Sequence, residues 1–407
     1  MATRFRLLDR LSTGLGVLQV YRKLPPELRG VFREAVVPYA RPEPSPAAAV
    51  DAAAGWLCRA QDSSATRDGG VARHFSVQTG WSASYPETTG YVVPTMLDLA
   101  HRTGREEYRA RAIRMIEWLT SIQMESGAFQ GGMVNQAPVV PVTFNTGQIL
   151  FGLTAAVREF GDAYRPALRR AADWLVASQD VDGHWRHHQT PFARSGDKTY
   201  YTHVAWALFE AERVEPGRRY GEYGLRNVDW ALQRQHPNGW VEDCCLTEPV
   251  RPLTHTLGYF LRGVLEAHRF APNPRLIDAA RRTGEGLLSA QGDDGALPGR
   301  LTAKWRAAVR GTCLTGNVQI AACWLLLFQY TSDTRYLEAA RSAIRYVRGT
   351  IRIDGSPDIR GGVRGSIPLW GDYGAYQYLN WAAKFFIDAQ LMDADIEAGS
   401  ALPQRAS

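Results

Sequence analysis

The chain has 407 residues, 45% of them hydrophobic, and a formal net charge of +6 carried almost wholly by arginine. That composition supports a sizeable core and contains no run of 18 uncharged apolar residues, which argues against a transmembrane helix. Five cysteines without a framework spacing (Cys58, Cys244, Cys245, Cys313, Cys323) fit a reducing cytoplasm, and the mildly basic charge favours an anionic ligand or surface, with no Lys/Arg run of the nucleic-acid type.

In chain order, residues 1–45 come first. Residues 4–22 interleave arginines with Phe5, Leu7, Leu8, Leu11, Leu15, Val17 and Leu18. This pattern predicts a basic amphipathic helix, which either contacts a membrane surface peripherally or packs across the rest of the chain. Asp9 and Arg10 interrupt the apolar stretch, so no secretory signal is expected. Arg41–Pro46 reads as a stiff linker.

From residue 46 to 396 a Trp…Gln…Gly phrase recurs: Trp118…Gln123…Gly127, Trp174…Gln179…Gly183 and Trp230…Gln235…Gly239. Gly286…Gln291…Gly295 is a weaker copy, Trp56…Gln61 has displaced glycines, and Tyr346…Ile351…Gly355 has lost the Gln. The copies follow one another every 56 to 62 positions. Each closes an amphipathic helix, as the stripe Ala167, Leu168, Ala171, Ala172, Trp174, Leu175 shows, and the Gly is a helix stop. A variable loop follows, then a second helix that is apolar nearly all round, such as Ile149–Val157 or Val318–Phe328. Five of these second helices carry a Thr near their start (Thr89, Thr146, Thr202, Thr254, Thr315), read here as an N-cap. Twelve alternating helices predict an all-α fold, an (α/α)6 toroid of six hairpins, with an open solenoid as the alternative. Residues 397–407 read as a disordered tail.

The phrase Gln179-Asp180-Val181-Asp182-Gly183-His184-Trp185 resembles the QW repeat of squalene and terpenoid cyclases. The six-hairpin layout resembles the six-hairpin glycosidase superfamily of hydrolases, lyases and epimerases. The blocks Tyr85–Tyr91, Cys313–Asn317 and Tyr378–Phe386 resemble toroid proteins of bacterial surface-polysaccharide clusters. The Asp-x-Asp-Asp run that marks class II terpene cyclases is absent, so the cyclase likeness speaks for architecture.

In a toroid the residues just ahead of the second helices converge on one funnel. Those positions hold Tyr85, Glu87, Tyr91, Asn145, Gln148, Tyr200, Tyr201, His203, Asp243, His255, Asn317, Trp370, Asp372, Tyr373, Tyr376, Tyr378 and Asn380. Aromatic rings stack on sugar C–H faces and amides meet hydroxyls, so the set suits a saccharide. Glu87, in Tyr-Pro-Glu-Thr-Thr-Gly-Tyr, resembles the general acid of one family of inverting toroid glycosidases, with Asp243 and Asp372 as candidate second carboxylates. The competing reading has Glu87 simply complementing a helix N-terminus. Uronic-acid lyases and C5-epimerases imply proton carriers instead, here Tyr200, Tyr201, His203 or His255. Lys304, Arg306, Arg310, Arg360 and Arg364 are the candidate holders of an acidic sugar. Asp243, Cys245 and His255 give too weak a ligand pattern for zinc, and neither metal nor cofactor is expected.

The sequence thus predicts a cytoplasmic carbohydrate-active enzyme, at the inner face of the membrane if residues 4–22 touch it. Its expected substrate is an acidic polysaccharide or lipid-linked oligosaccharide, and glycoside hydrolysis is the first reading. Lyase or C5-epimerase chemistry, a terpenoid-cyclase-like activity, and a non-catalytic glycan-binding or assembly role are the alternatives.

Overall fold

The computed structural model describes residues 16–37 and 42–399. Residues 16–23 are helical (α1) and precede α2 (Pro26–Val36). The remainder of the amphipathic segment expected at 4–22, and the tail beyond 399, lie outside the described residues.

Among the described residues, twelve further helices form two concentric rings. The outer ring is α3 (Pro46–Asp62), α5 (Glu106–Ser121), α7 (Arg165–Ala177), α9 (Tyr220–Leu232), α11 (Pro274–Ala290) and α13 (Thr334–Arg348). The inner ring is α4 (Pro86–Thr103), α6 (Thr143–Phe160), α8 (Thr202–Val214), α10 (Thr254–Phe270), α12 (Leu314–Thr331) and α14 (Asn380–Glu397). Each inner helix packs on the next, and α14 packs on both α4 and α3, so the ring is closed. Burial follows the sequence pattern. In α7 one stripe is buried (Ala167, Leu168, Ala171, Ala172, Leu175), whereas in α12 every residue from Leu314 to Leu327 is. The chain is an (α/α)6 toroid.

The recurring Gln explains the period. Its side-chain amide donates to two carbonyls at once: Gln123 to Gly127 and Ala167, both at 2.9 Å, and Gln179 to Gly183 at 3.0 Å and Tyr223 at 2.9 Å. One bond closes the turn of its own repeat and the other grips the next outer helix. Gly183 has φ of 93°, and a Cβ there would lie 2.5 Å from the Arg226 carbonyl of α9, so the position needs glycine twice over. The sixth copy lacks the Gln, and closure there uses other donors: Trp56 Nε1 to the Asp358 carbonyl at 2.8 Å and Arg59 Nε to that of Pro357 at 2.9 Å.

The expected threonine caps are otherwise placed. Thr89 and Thr146 lie inside the first turn, donating back to the carbonyls of Tyr85 (2.8 Å) and Val142 (2.9 Å). Their hydroxyls accept from Val71 and Phe129 N–H at 3.0 Å, so they pin the incoming loop to the helix instead of capping it.

Short connections join each inner helix to the next outer one, and long loops lead back from outer to inner. Two small sheets order the long loops. β1 (His74–Ser76) pairs with β2 (Gly80–Trp81) and with β5 (Gln377–Leu379), while β3 (Thr312–Cys313) pairs with β4 (Ser366–Ile367). The first and sixth hairpins are thereby stitched together. The inner helix N-termini all open onto this loop face.

Candidate active site

The first turns of the inner helices and the long loops enclose a cavity of about 440 Å³, within the range of small-molecule sites. Of the residues expected at the funnel, Tyr85, Glu87, Tyr91, Asn145, Tyr200, His255, Asp372 and Tyr373 line it.

Glu87 is the second residue of α4, directly after Pro86 at the helix start, and lines the cavity. Its carboxyl is buried and accepts a 2.6 Å hydrogen bond from the Tyr85 hydroxyl at Oε2. Burial outweighs that bond and the charge of Arg73, pushing the carboxyl up to about 7. Arg73 reaches the cavity because β1 pairs with β5. Its guanidinium lies 5.1 Å from the Trp381 ring centre and 5.8 Å from that of Tyr85.

His255 enters from the first turn of α10. Its Nδ1 meets Gln319 Oε1 of α12 at 2.6 Å, and its ring packs 4.5 Å from Tyr259 and 5.1 Å from Tyr373. Burial pushes the imidazole down to about 4. Between about pH 4 and pH 7 the cavity therefore holds a largely protonated carboxyl together with a neutral imidazole, an inversion of their ordinary order in water. The phenols of Tyr85, Tyr91, Tyr200, Tyr259 and Tyr373 are all driven well above their ordinary range by burial, so they stay protonated.

Asp372, in the loop ahead of α14, is ion-paired with Arg300. Arg300 is almost wholly buried and also donates to the Arg251 carbonyl (2.9 Å) and Thr247 Oγ1 (3.2 Å), with Cys245 Sγ at 3.7 Å. Burial raises the Cys245 thiol, but backbone N–H groups of Thr247, Glu248 and Leu253 and the Arg300 charge together hold it below its ordinary value. Among the described residues, the buried Nδ2 of Asn145 on the cavity wall has no hydrogen-bond partner.

The other expected residues do not line the cavity. Asn380 donates to the Ala72 carbonyl (2.9 Å) and Thr88 Oγ1 (2.7 Å), locking the sixth hairpin to the first. Asn317 likewise accepts from Leu297 N–H at 3.0 Å. Tyr201 is buried behind Phe144, ring centres 5.8 Å apart. His203 and Gln148 pair with each other at 2.9 Å, below Tyr259. Tyr378 meets Arg364 Nε through its hydroxyl at 3.3 Å, and Tyr376 stacks on Phe32 of α2. Asp243 sits in a left-handed turn near Asp197 and Glu242, which, after burial, raise its carboxyl. Trp370 and Lys304 are exposed outside the cavity. Among the described residues no three His, Cys, Asp or Glu side chains group as metal ligands.

The cavity residues that escaped the sequence reading include Arg73, Phe144, Tyr259, Arg300 and Trp381. Tyr259 carried a signal, lying one helical turn beyond His255 on the same face. Arg73 and Arg300 depend on loop pairing that no local pattern displays.

The squalene-hopene cyclase C-terminal domain family model matches residues 81–265. No curated protein matches the sequence. Among solved structures, a sugar epimerase from a ruminal bacterium superposes with a TM-score of 0.71 at 13% identity, covering 87% of this chain and 98% of its own. An unsaturated glucuronyl hydrolase specific for heparin gives 0.69 at 14% identity, covering 86% of this chain and 97% of its own. Cellobiose 2-epimerase from Bacillus thermoamylovorans B4167 gives 0.66 at 12% identity, covering 83% and 95%.

Proposed function

From the premise that the chain is an (α/α)6 toroid, we propose that it is a carbohydrate-active enzyme, first of all a glycoside hydrolase, with Glu87 as proton donor and His255 as proton acceptor. The carrying observation is the pairing of a buried carboxyl at about 7 with a buried imidazole at about 4 on one aromatic cavity. Fold neighbours named for hydrolysis and epimerisation of sugars support the substrate class.

A sugar ring stacks on the tyrosine and tryptophan faces with Asn145 Nδ2 offered to a hydroxyl. Glu87 gives its proton to the glycosidic oxygen as the bond from the anomeric carbon breaks. A water adds its oxygen to that carbon and passes a proton to His255. Asp372 is the less apt acceptor because Arg300 already engages its charge. Arg300 is paired with Asp372, which leaves Arg73 and the inner-helix N-termini to favour a substrate bearing a carboxylate. A polysaccharide end or a lipid-linked oligosaccharide meets these requirements. Among the described residues no helix is long and apolar enough to cross a membrane. The peripheral membrane contact expected of residues 4–22 would include α1, where Leu18 is exposed beside Arg22 and Lys23.

The second reading is epimerisation, favoured by the acceptor being an imidazole rather than a second carboxylate. His255 would take the proton beside a carbonyl and Glu87 would supply one. Incubation with acidic and neutral oligosaccharides separates the two. Hydrolysis gives new reducing ends, epimerisation gives deuterium uptake from solvent without cleavage, and elimination gives ultraviolet-absorbing products. Glu87→Gln should abolish cleavage, and cleavage at the wild-type rate in that variant would remove Glu87 as the acid.

A further inference from the structure

The inner ring contains one small unit twice. Gln148 of α6 meets His203 of α8 through Oε1 and Nδ1 at 2.9 Å, and Gln319 of α12 meets His255 of α10 through the same atoms at 2.6 Å. Tyr259 lies between the imidazoles, its ring centre 4.4 Å from His203 and 4.5 Å from His255. All five side chains are buried. Only His255 of the two faces the large cavity. His203 and Gln319 line a second void beneath it, of about 10 Å³, room for one water.

An amide oxygen only accepts, so Oε1 at Nδ1 selects the imidazole tautomer with its proton on Nδ1. Nε2 is then a bare lone pair, and it is the ring nitrogen left for the cavity. The neutrality of the amide matters as much as its position. A carboxylate there would hold the imidazole as a cation, whereas an amide orients the ring without adding charge. The approach is built into the backbone. A Cβ on Gly316 would lie 2.8 Å from the His255 backbone nitrogen, and one on Gly258 would lie 3.0 Å from Gln319 Cβ, so both glycines bring α10 and α12 close enough for the pair to form.

We propose that Gln319 is a positioning residue of this site, fixing His255 in the Nδ1–H tautomer and turning Nε2 toward the substrate. The inference rests on the reading of His255 as the proton acceptor. Around His255 the ionisable groups are Tyr259 on its own helix, Tyr373 from the loop ahead of α14, Cys313 ahead of α12 and His203 beyond Tyr259. Glu87, Arg73, Arg300 and Asp372 share its cavity. Among the described residues, the hydrogen-bond partner of Nδ1 is Gln319.

The test is a nitrogen-15 histidine NMR titration of the full chain, run beside pH profiles of kcat/KM. Wild-type His255 should show its proton on Nδ1. Gln319→Glu should raise the imidazole pKa by about one unit or more and carry the acidic limb of the rate profile upward with it. Gln319→Leu should lower kcat at least about tenfold while KM changes little, because the ring can then present the wrong nitrogen. Gln148→Glu is the internal control: it should move the His203 resonance and leave that of His255 in place. A wild-type proton on Nε2, meaning that the amide donates instead, would overturn the proposal. So would a Gln319→Glu limb that stays put. If Gln319→Leu does not fold, the glutamate variant and the wild-type tautomer still decide. Should no saccharide be turned over, the catalytic reading falls, and the tautomer alone decides whether Gln319 positions the ring as stated.

Discussion

The Tyr85 hydroxyl donates to Oε2 of Glu87 at 2.6 Å, and this bond opposes the burial that raises the carboxyl. Removing the donor should let burial act unopposed. Tyr85→Phe is therefore expected to raise the Glu87 pKa further and to move the alkaline limb of the pH–rate profile upward by about one unit. A limb that moves down, or not at all, would mean that another group sets it.

The wild-type profile itself is constrained from both sides. Glu87 must carry its proton, so activity should fall as pH rises through about 7. His255 must be bare, so activity should also fall as pH drops through about 4. The expected result is a bell for kcat/KM with its maximum between those values, measured on the free enzyme at low substrate. A profile that is flat across that interval would exclude this acid and base together.

Glu87 is also a liability for folding. Its carboxyl sits at about 7 in the fold against an ordinary 4.5. Below the ordinary value both states are protonated and the residue costs nothing. Between the two values the unfolded chain ionises first, and stability is lost as pH rises, the full cost being reached above about 7. Glu87→Gln should thus raise the melting temperature at mildly alkaline pH, by up to about 3 kcal/mol of stability, and do little near pH 4. A variant that is inactive and more stable marks a functional carboxyl. One that is less stable at alkaline pH would point to the structural role instead.

The ring was readable because the same physical demand recurs in each hairpin. The Gln that closes a turn must also grip the next outer helix, so Gln123, Gln179, Gln235 and Gln291 return at fixed intervals with a glycine behind them. The cavity was less readable, because proximity to a helix start does not say which way a side chain turns. Asn145 and His255 face the cavity, while Asn317 and Asn380, at equivalent starts, hold loops in place. Arg73 and Arg300 were invisible for a different reason: strand pairing across the ring and a long loop place them, neither of which leaves a local period.

The clamp can be weighed directly. Gln179→Ala removes two hydrogen bonds and leaves the Gly183 and Tyr223 carbonyls without that donor. A loss of about 2 kcal/mol is expected, read by urea denaturation as a lower midpoint with an unchanged slope. The site lies on the outer wall, so the pH limbs assigned to Glu87 and His255 should not move. An effect under a few tenths of a kcal/mol would show that the repeat motif records ancestry more than present stability.

Helix α2 meets a loop of the site through Phe32. Phe32 of α2 is fully buried and stacks on Tyr376, ring centres 6.1 Å apart, and the carboxylate of Glu34 holds Arg352 Nε at 3.2 Å. Tyr376 belongs to the loop that carries Asp372 and Tyr373 into the cavity, and its own N–H is tied to the Leu369 carbonyl at 2.7 Å. Phe32→Ala should cost about 3–5 kcal/mol if the void stays open, less if the loop collapses onto it. Collapse would drag Asp372 and Tyr373, so whatever stability is kept should be matched by a fall in kcat/KM of about tenfold. Phe32→Leu, which refills most of the void, should restore both. If Phe32→Ala loses stability and keeps full kcat/KM, α2 braces the sixth hairpin without shaping the cavity.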